Sequence, residues 1–477
     1  MNRRILSNGL RGDSVALDKL FAVDDAGNDT KILWLIAHIC GGAALLWIAF
    51  VNGYPLLYPD SGSYLRVGTE LHFLTDRPIV YGLMIASFAR IGGLWAIIVA
   101  QALLTSFLIG ATVKIITGRR SAILLFLCLL GLALFSSLPW FVGQIMPDLL
   151  PALMALLIFD ILFAPDIETT WRRWWPPILL VPLLATHLSN LPIAVALIAI
   201  GGVTAAWWRV PHIRMRVGRA MVAFIAALIG LCCLNFIGVH HFAPSIESNR
   251  FLAARLFDGR VGQPVLDGMC RAETLRLCSV RAMLDDPRRA QPGQDYLWND
   301  IGDLLATQDV EGLRAEERIF VRRTIRERPL AVVRLALTSW LEQLVDARSA
   351  DGMVPYPEEK QVMRQIRIHF PQSEAALHAS RQQHGTLQNL AIFPDRLLSL
   401  AMALLTPFFL IRAAQRKDTV MIGFVSVVLA TVLINAAVCG ILAGPTDRYQ
   451  SRVIWLLPLL GALAFSRKLQ EARNFHG

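Results

Sequence analysis

The stretch ILWLIAHICGGAALLWIAFV, residues 32–51, leads into Tyr58-Pro59-Asp60-Ser61-Gly62-Ser63-Tyr64. An α-helix needs about 20 apolar residues to cross a bilayer core, so residues 32–51 read as a first membrane span. Asp60 then stands at or just outside the bilayer surface. An ionisable group near hydrocarbon is costly and is a functional candidate by default. Pro-Asp-Ser-Gly is also ordinary turn chemistry, so on these residues alone Asp60 reads equally well as a solvated turn.

Outward from this point the pattern repeats. Gly93–Thr117, Ser121–Phe141, Ala220–Val239, Leu390–Ile411 and Val420–Leu442 are apolar runs of span length, and Asp148 opens another that ends near Phe163. Pro78–Arg90 is apolar but short and reads as an interfacial or re-entrant helix. Pro176–Trp208 is too long for one span and is interrupted by Thr186-His187-Leu188-Ser189-Asn190-Leu191-Pro192, which predicts two short helices meeting at a break. Val453–Phe465 is the last apolar stretch. The expected fold is an all-α polytopic membrane protein with about ten transmembrane helices. Its expected parts are a cytoplasmic tail (1–31), a transmembrane module (32–240, with a first outer loop at 53–92), a mainly helical extracytoplasmic segment (241–388), C-terminal transmembrane helices (389–466) and a second cytoplasmic tail (467–477).

Composition agrees. Hydrophobic residues make up 55% of the chain and charged residues 17%, whereas soluble domains carry about 25% charge. The first 30 residues are polar and lack the apolar core of a cleavable signal, so residues 32–51 are expected to act as an uncleaved first span. The net charge of +10 does not point to nucleic acid. Residues 241–388 hold 20 of the 46 basic and 20 of the 36 acidic residues, so the surplus lies in the N-terminal tail and short loops. That is the bias of cytoplasmic connections. It places Asp60, Asp148, the His187 break, residues 241–388 and Asp447-Arg448-Tyr449 on the opposite side. Five of the seven cysteines fall in apolar runs; Cys270 and Cys278 lie in the polar segment and either pair, in an oxidising compartment, or stay free.

Two carboxylates at span ends on one face, Asp60 and Asp148, suit a membrane-surface transferase. One would act as general base while the other positions substrate or holds a divalent metal ion. Asp148 also follows Pro147 as an ordinary helix start, and His187 is as readily a hydrogen-bonded structural residue. Arg77 and Arg448 are the guanidinium groups available for a phosphate, which Arg grips with two parallel N–H donors. No P-loop, no His-Glu-x-x-His and no dinucleotide fingerprint is present. An energy source must therefore arrive with the substrate.

Taken together, three elements resemble the integral-membrane GT-C glycosyltransferases, in particular the bacterial protein mannosyltransferase and aminoarabinose transferase group. They are Tyr58–Tyr64 with Asp76-Arg77-Pro78 and Tyr81, the polar break Thr186–Pro192, and Asp447-Arg448-Tyr449 before Trp455-Leu456-Leu457-Pro458. The chain departs from many members in having Ser61 where a second acid is common. The resemblance implies a multi-pass protein of the bacterial inner membrane whose site faces the extracytoplasmic side. It implies a polyprenyl-phosphate sugar donor, a lipid, glycan or protein acceptor, and inverting transfer with Asp60 as base. Tyr64, Arg77, Asp148, His187, Arg448 and Tyr449 would bind substrate. A non-enzymatic lipid or polysaccharide flippase is the alternative; it should carry paired broken helices in two related halves, and only one break is evident.

Overall fold

The computed structural model describes residues 28–165, 170–390 and 394–474. Most of the expected N-terminal tail, and the last three residues of the C-terminal one, lie outside them. The described residues are mainly helical and contain no strand; a single backbone bridge joins Leu56 to Gln144.

The first run forms α1 (Asn28–Leu45) and, past a bend at Leu46, α2 (Trp47–Asn52). Gly53 ends it at φ 79°, its N–H bonded to the Ala49 and Phe50 carbonyls, a left-handed cap that favours glycine. The short α3 (Ser61–Glu70) follows the Asp60 turn. Then α4 (Val80–Thr117) runs for 38 residues but is broken at Gly92 and Gly93, where φ/ψ leave the helical range. The break divides the expected interfacial helix from the expected second span. Next come α5 (Ala122–Phe135), α6 (Leu138–Val142) and α7 (Leu150–Phe163).

The helix α7 is apolar on all sides, and every residue but Asp160 is buried. A helix of that kind belongs at the centre of a bundle. Around it pack α8 (Thr170–Ala185), α9 (Asn190–Trp207), α10 (Ile213–Val239) and, later in the chain, α21. The gap between α8 and α9 is the expected polar break.

The long polar segment holds α11 (Ser248–Asp258), α12 (Gln263–Ala272), α13 (Arg281–Asp285), α14 (Pro292–Trp298), α15 (Asp300–Ala306), α16 (Val310–Glu327), α17 (Pro329–Val345), α18 (Gln361–His369) and α19 (Glu374–His378). The chain ends with α20 (Pro394–Gln415), α21 (Thr419–Leu442), α22 (Asp447–Ile454) and α23 (Leu456–Asn474).

Among the described residues, five helices are long and apolar enough to cross a membrane: α4, α9, α10, the Leu397–Gln415 part of α20, and α21; Thr30–Leu45 and Ala122–Phe135 are shorter apolar helices. Their exposed faces are themselves apolar. On α10, Val222, Ile225, Ile229 and Phe236 face outward, and on α20 so do Leu397, Leu400, Leu404 and Ile411. Stripes of this kind are stable only against hydrocarbon or a partner.

Residues 241–388 are not one packing unit. Residues 253–321 build a core of their own around Phe257, Tyr296 and Phe320, and Cys270 pairs with Cys278 at its edge. By contrast Met353, Tyr356, Val362, Ile366 and Leu387 join the core of the membrane part. Between them, α17 lies along α21 closely enough that a Cβ on Gly440 would meet the Ser339 carbonyl oxygen at 2.6 Å.

Candidate active site

The Asp60 turn is fixed by two neighbours far away in sequence. On one side, Leu56 N–H donates to Gly143 O (2.8 Å) and Ile145 N–H to Leu56 O (3.0 Å), tying the first loop to the turn that precedes Asp148. Ser61, which stands where a second acid was expected, is wholly buried. Its hydroxyl donates to Ile145 O (2.9 Å) and accepts from Tyr58 N–H (2.9 Å). It is a tether. On the other side the Gln382 amide clamps Leu57, accepting from its N–H (3.1 Å) and donating to its C=O (2.8 Å). A Cβ on Gly62 would strike the Val362 backbone at 2.6 Å, so α3 and α18 also meet at a glycine.

A cavity of about 1420 Å³ opens beside this turn. Asp60, Arg77, Arg448 and Tyr449 line its inner end. The Asp60 carboxylate is shared: Oδ1 lies 3.3 Å from Arg77 and Oδ2 3.4 Å from Arg448. Arg77 is held in turn by Asp76 (2.7 Å) and lies over the Tyr64 ring at 5.3 Å. Arg448 is sandwiched between two phenols, 4.0 Å from the Tyr58 ring and 5.0 Å from Tyr449. Burial works to raise the Asp60 pKa, but Arg77 and Arg448 outweigh it and hold the carboxyl below its usual value. Asp60 is an anion at neutral pH.

Behind this layer is a second, dry one. Asp148 is 1% exposed and Arg452 is 0% exposed, and they pair at 3.0 Å. Arg452 also donates to Asn435 Oδ1 (2.9 Å) and Ser189 Oγ (3.1 Å), while Ser189 Oγ bonds His187 Nδ1 (2.8 Å). Asp148 reaches forward to Arg448 Nε at 3.9 Å. Contacts therefore run unbroken from Asp60 through Arg448, Asp148 and Arg452 to the His187 break.

The expected substrate-binding residues divide accordingly. Arg77, Arg448 and Tyr449 line the cavity. Tyr64, Asp148 and His187 do not: Tyr64 packs edge-on against Tyr81 at 5.2 Å, Asp148 is closed off by Arg452, and His187 turns to Ser189. A buried charge keeps its partners rather than facing a wet space. Sequence reading missed Arg452, Asn435 and Gln382. For Arg452 the available signal was its i, i+4 relation to Arg448, which puts both on one face of α22. For Asn435 it was a polar residue in the middle of an apolar run.

A divalent ion does not fit between Asp60 and Asp148. Arg448 contacts both carboxylates, so a second cation there would meet a guanidinium. The one other metal-capable group among the described residues, Glu358, Glu374 and His378, does not line the cavity, and Arg367 already pairs with both glutamates.

Two buried donors at the cavity wall have no hydrogen-bond partner, Arg448 Nε and Arg255 Nε. Unpaired buried donors are costly; that of Arg448 is turned towards the Asp148 carboxylate at 3.9 Å. No family model, curated protein or solved structure matches the chain.

Proposed function

We infer that the protein is a GT-C-like glycosyltransferase of the bacterial inner membrane, with about ten transmembrane segments once the shorter helices are counted and its cavity on the extracytoplasmic side. It moves a sugar from a polyprenyl-phosphate donor to an acceptor hydroxyl. The single observation that carries this reading is one half-exposed carboxylate flanked by two arginines at the inner end of a large cavity. Asp60 is the anionic base, and Arg448, a guanidinium that lines the cavity beside it, is the phosphate ligand.

In the transfer, the acceptor oxygen attacks the anomeric carbon as the bond from that carbon to the phosphate oxygen breaks. The electron pair leaves with the phosphate, and the acceptor proton passes to Asp60. Both guanidiniums sit at long range from Asp60, so a donor phosphate can draw Arg448 to itself and release Oδ2 for the proton. Charge developing on the leaving group is then met by a fixed cation, which is where electrostatic catalysis is strongest. The donor's hydrocarbon tail has an apolar face to lie on beside the cavity. The helix α17 lines the cavity with Thr338, Ser339 and Glu342, yet exposes Leu330, Val333, Leu337 and Leu341 on its outer face. A wall one helix thick between cavity and lipid suits a substrate with a polar head and an apolar tail.

The test is glycan and glycolipid profiling of cells carrying Asp60→Asn at normal protein level. Loss of one sugar modification is expected; an unchanged profile removes Asp60 as base. Arg448→Lys should retain charge yet lose most transfer, because the forked geometry is gone.

A further inference from the structure

The wall of the same cavity contributed by the 253–321 unit, taken here as its outer end, differs from the wall that holds Asp60. Its lining there comes from the 253–321 unit and the residues leading into it: Arg250, Phe251, Gln291, Gln294 and Trp298. Phe251 and Trp298 form an aromatic pair with centroids 5.9 Å apart and planes inclined at 59°, and Trp298 is 49% exposed. Gln291 is exposed and Gln294 half-buried, and neither side-chain amide has a protein hydrogen-bond partner among the described residues. Arg255, whose Nε is the second orphaned donor, links this end to α17 through the Ser339 hydroxyl.

We propose that this outer end is the acceptor site and that the acceptor is a hydroxyl-rich oligosaccharide; the inference rests on the glycosyltransferase reading of Asp60. A sugar ring offers a C–H face to an aromatic ring and a rim of hydroxyls that both donate and accept. The exposed Trp298, backed by the half-buried Phe251 and flanked by free amides, supplies both halves of that recognition, since each amide has two donors and an acceptor. An acyl chain is the wrong occupant: it would strip water from Arg250, Gln291 and Gln294 and return no hydrogen bonds. The volume agrees, because 1420 Å³ exceeds the roughly 300–1,000 Å³ that encloses a drug-sized ligand. The cavity accommodates a donor head at one end and several acceptor residues at the other.

The test uses the full-length protein in its native membrane. The photo-crosslinker p-benzoylphenylalanine replaces Trp298 in one variant and Gln291 in a second, both exposed positions that leave the core intact. After irradiation the purified chain is examined for periodate-reactive carbohydrate and by mass spectrometry. The expected result is a carbohydrate adduct without a polyprenyl chain, reduced about tenfold when Gln294→Ala is combined with the Trp298 probe. A polyprenyl-bearing, acyl or polypeptide adduct, or no adduct at either position, overturns the proposal. Repeating the capture in Asp60→Asn separates the two readings. Adduct retained with sugar transfer intact would leave the acceptor site standing and remove the base. Transfer lost with no adduct in either background would do the reverse.

Discussion

Asp60 and Asp148 are both acids at the end of an apolar run, both contact Arg448, and they differ in one respect. Asp60 has a side chain 35% exposed at a cavity wall, with its two arginines at 3.3 and 3.4 Å. Asp148 is sealed, with Arg452 at 3.0 Å. The first pair is loose and open to exchange by substrate. The second is dry, so its Coulomb attraction is strong but so is the cost of breaking it. Under the proposed function, chemistry falls to the loose layer and positioning to the dry one. Arg448 is the joint between them.

The largest effect that would test this division is on activity. Asp60→Asn should lower transfer by about 10²–10⁴-fold, the usual worth of a general base, with thermal unfolding of the purified protein nearly unchanged. If stability fell as much as activity, the two layers would not be separate. Next, Asp148→Ala should destabilise by about 3–5 kcal/mol because it strands Arg452 without its anion. Combining Asp148→Leu with Arg452→Met should recover most of that loss, since an apolar pair of similar volume leaves no buried charge. A double variant as unstable as the single one would mean that the layer is held by something else.

A smaller effect concerns Gln382, which clamps Leu57 from the far end of the polar segment. Gln382→Ala should cost about 1–3 kcal/mol by leaving the Leu57 backbone groups unpaired. Hydrogen exchange should quicken around residues 54–60 while the 253–321 core stays protected.

Proton dependence sharpens the comparison further. Because Arg77 and Arg448 depress Asp60, its anion should persist as pH falls through the ordinary Asp value of about 3.9, and acid loss of activity should begin only below it. The same depression contributes stability above that value and loses it on further acidification. In the 253–321 unit the sign is opposite. Glu317 is 1% exposed and receives the Tyr296 hydroxyl at 2.5 Å. Burial pushes its carboxyl up from 4.5 to about 7 against the pull of Tyr296 and Arg250, with Glu247 adding to the rise and Arg314 opposing it. The protonated form is favoured in the fold, so this unit should be most stable below the ordinary Glu value and lose stability as pH rises through about 7. Glu317→Gln should flatten that dependence, measured as hydrogen exchange across α16 between pH 5 and pH 8.

What could be read in advance follows from the range of each interaction. Span-length apolar runs, the break at Thr186–Pro192, the end of the first helix at Asn52 and the polar character of residues 241–388 are local properties of residue order. The opening motif could likewise be recognised as a candidate because its charge stands beside an apolar run. The division of the polar segment could not be read, because Met353 and Ile366 look the same in sequence whether they pack on Phe257 or on the first loop. The role of Ser61 was equally hidden. A hydroxyl in place of an acid reads as a lost ligand until Ile145 O is found beside it.

The sequence by itself determined that this is an apolar, helical, membrane-type chain, and it offered Asp60 together with Tyr64, Arg77, Asp148, His187, Arg448 and Tyr449 as candidates for chemistry. Helix formation and burial in lipid depend on composition and spacing, which a linear string carries. Only the tertiary structure decided which charges meet. Asp60 and Arg448 are far apart in the chain and 3.4 Å apart in space, and that distance is set by the packing of α3, α18 and α22 rather than by any local pattern. The same packing separates the acid that faces the cavity from the one sealed behind it.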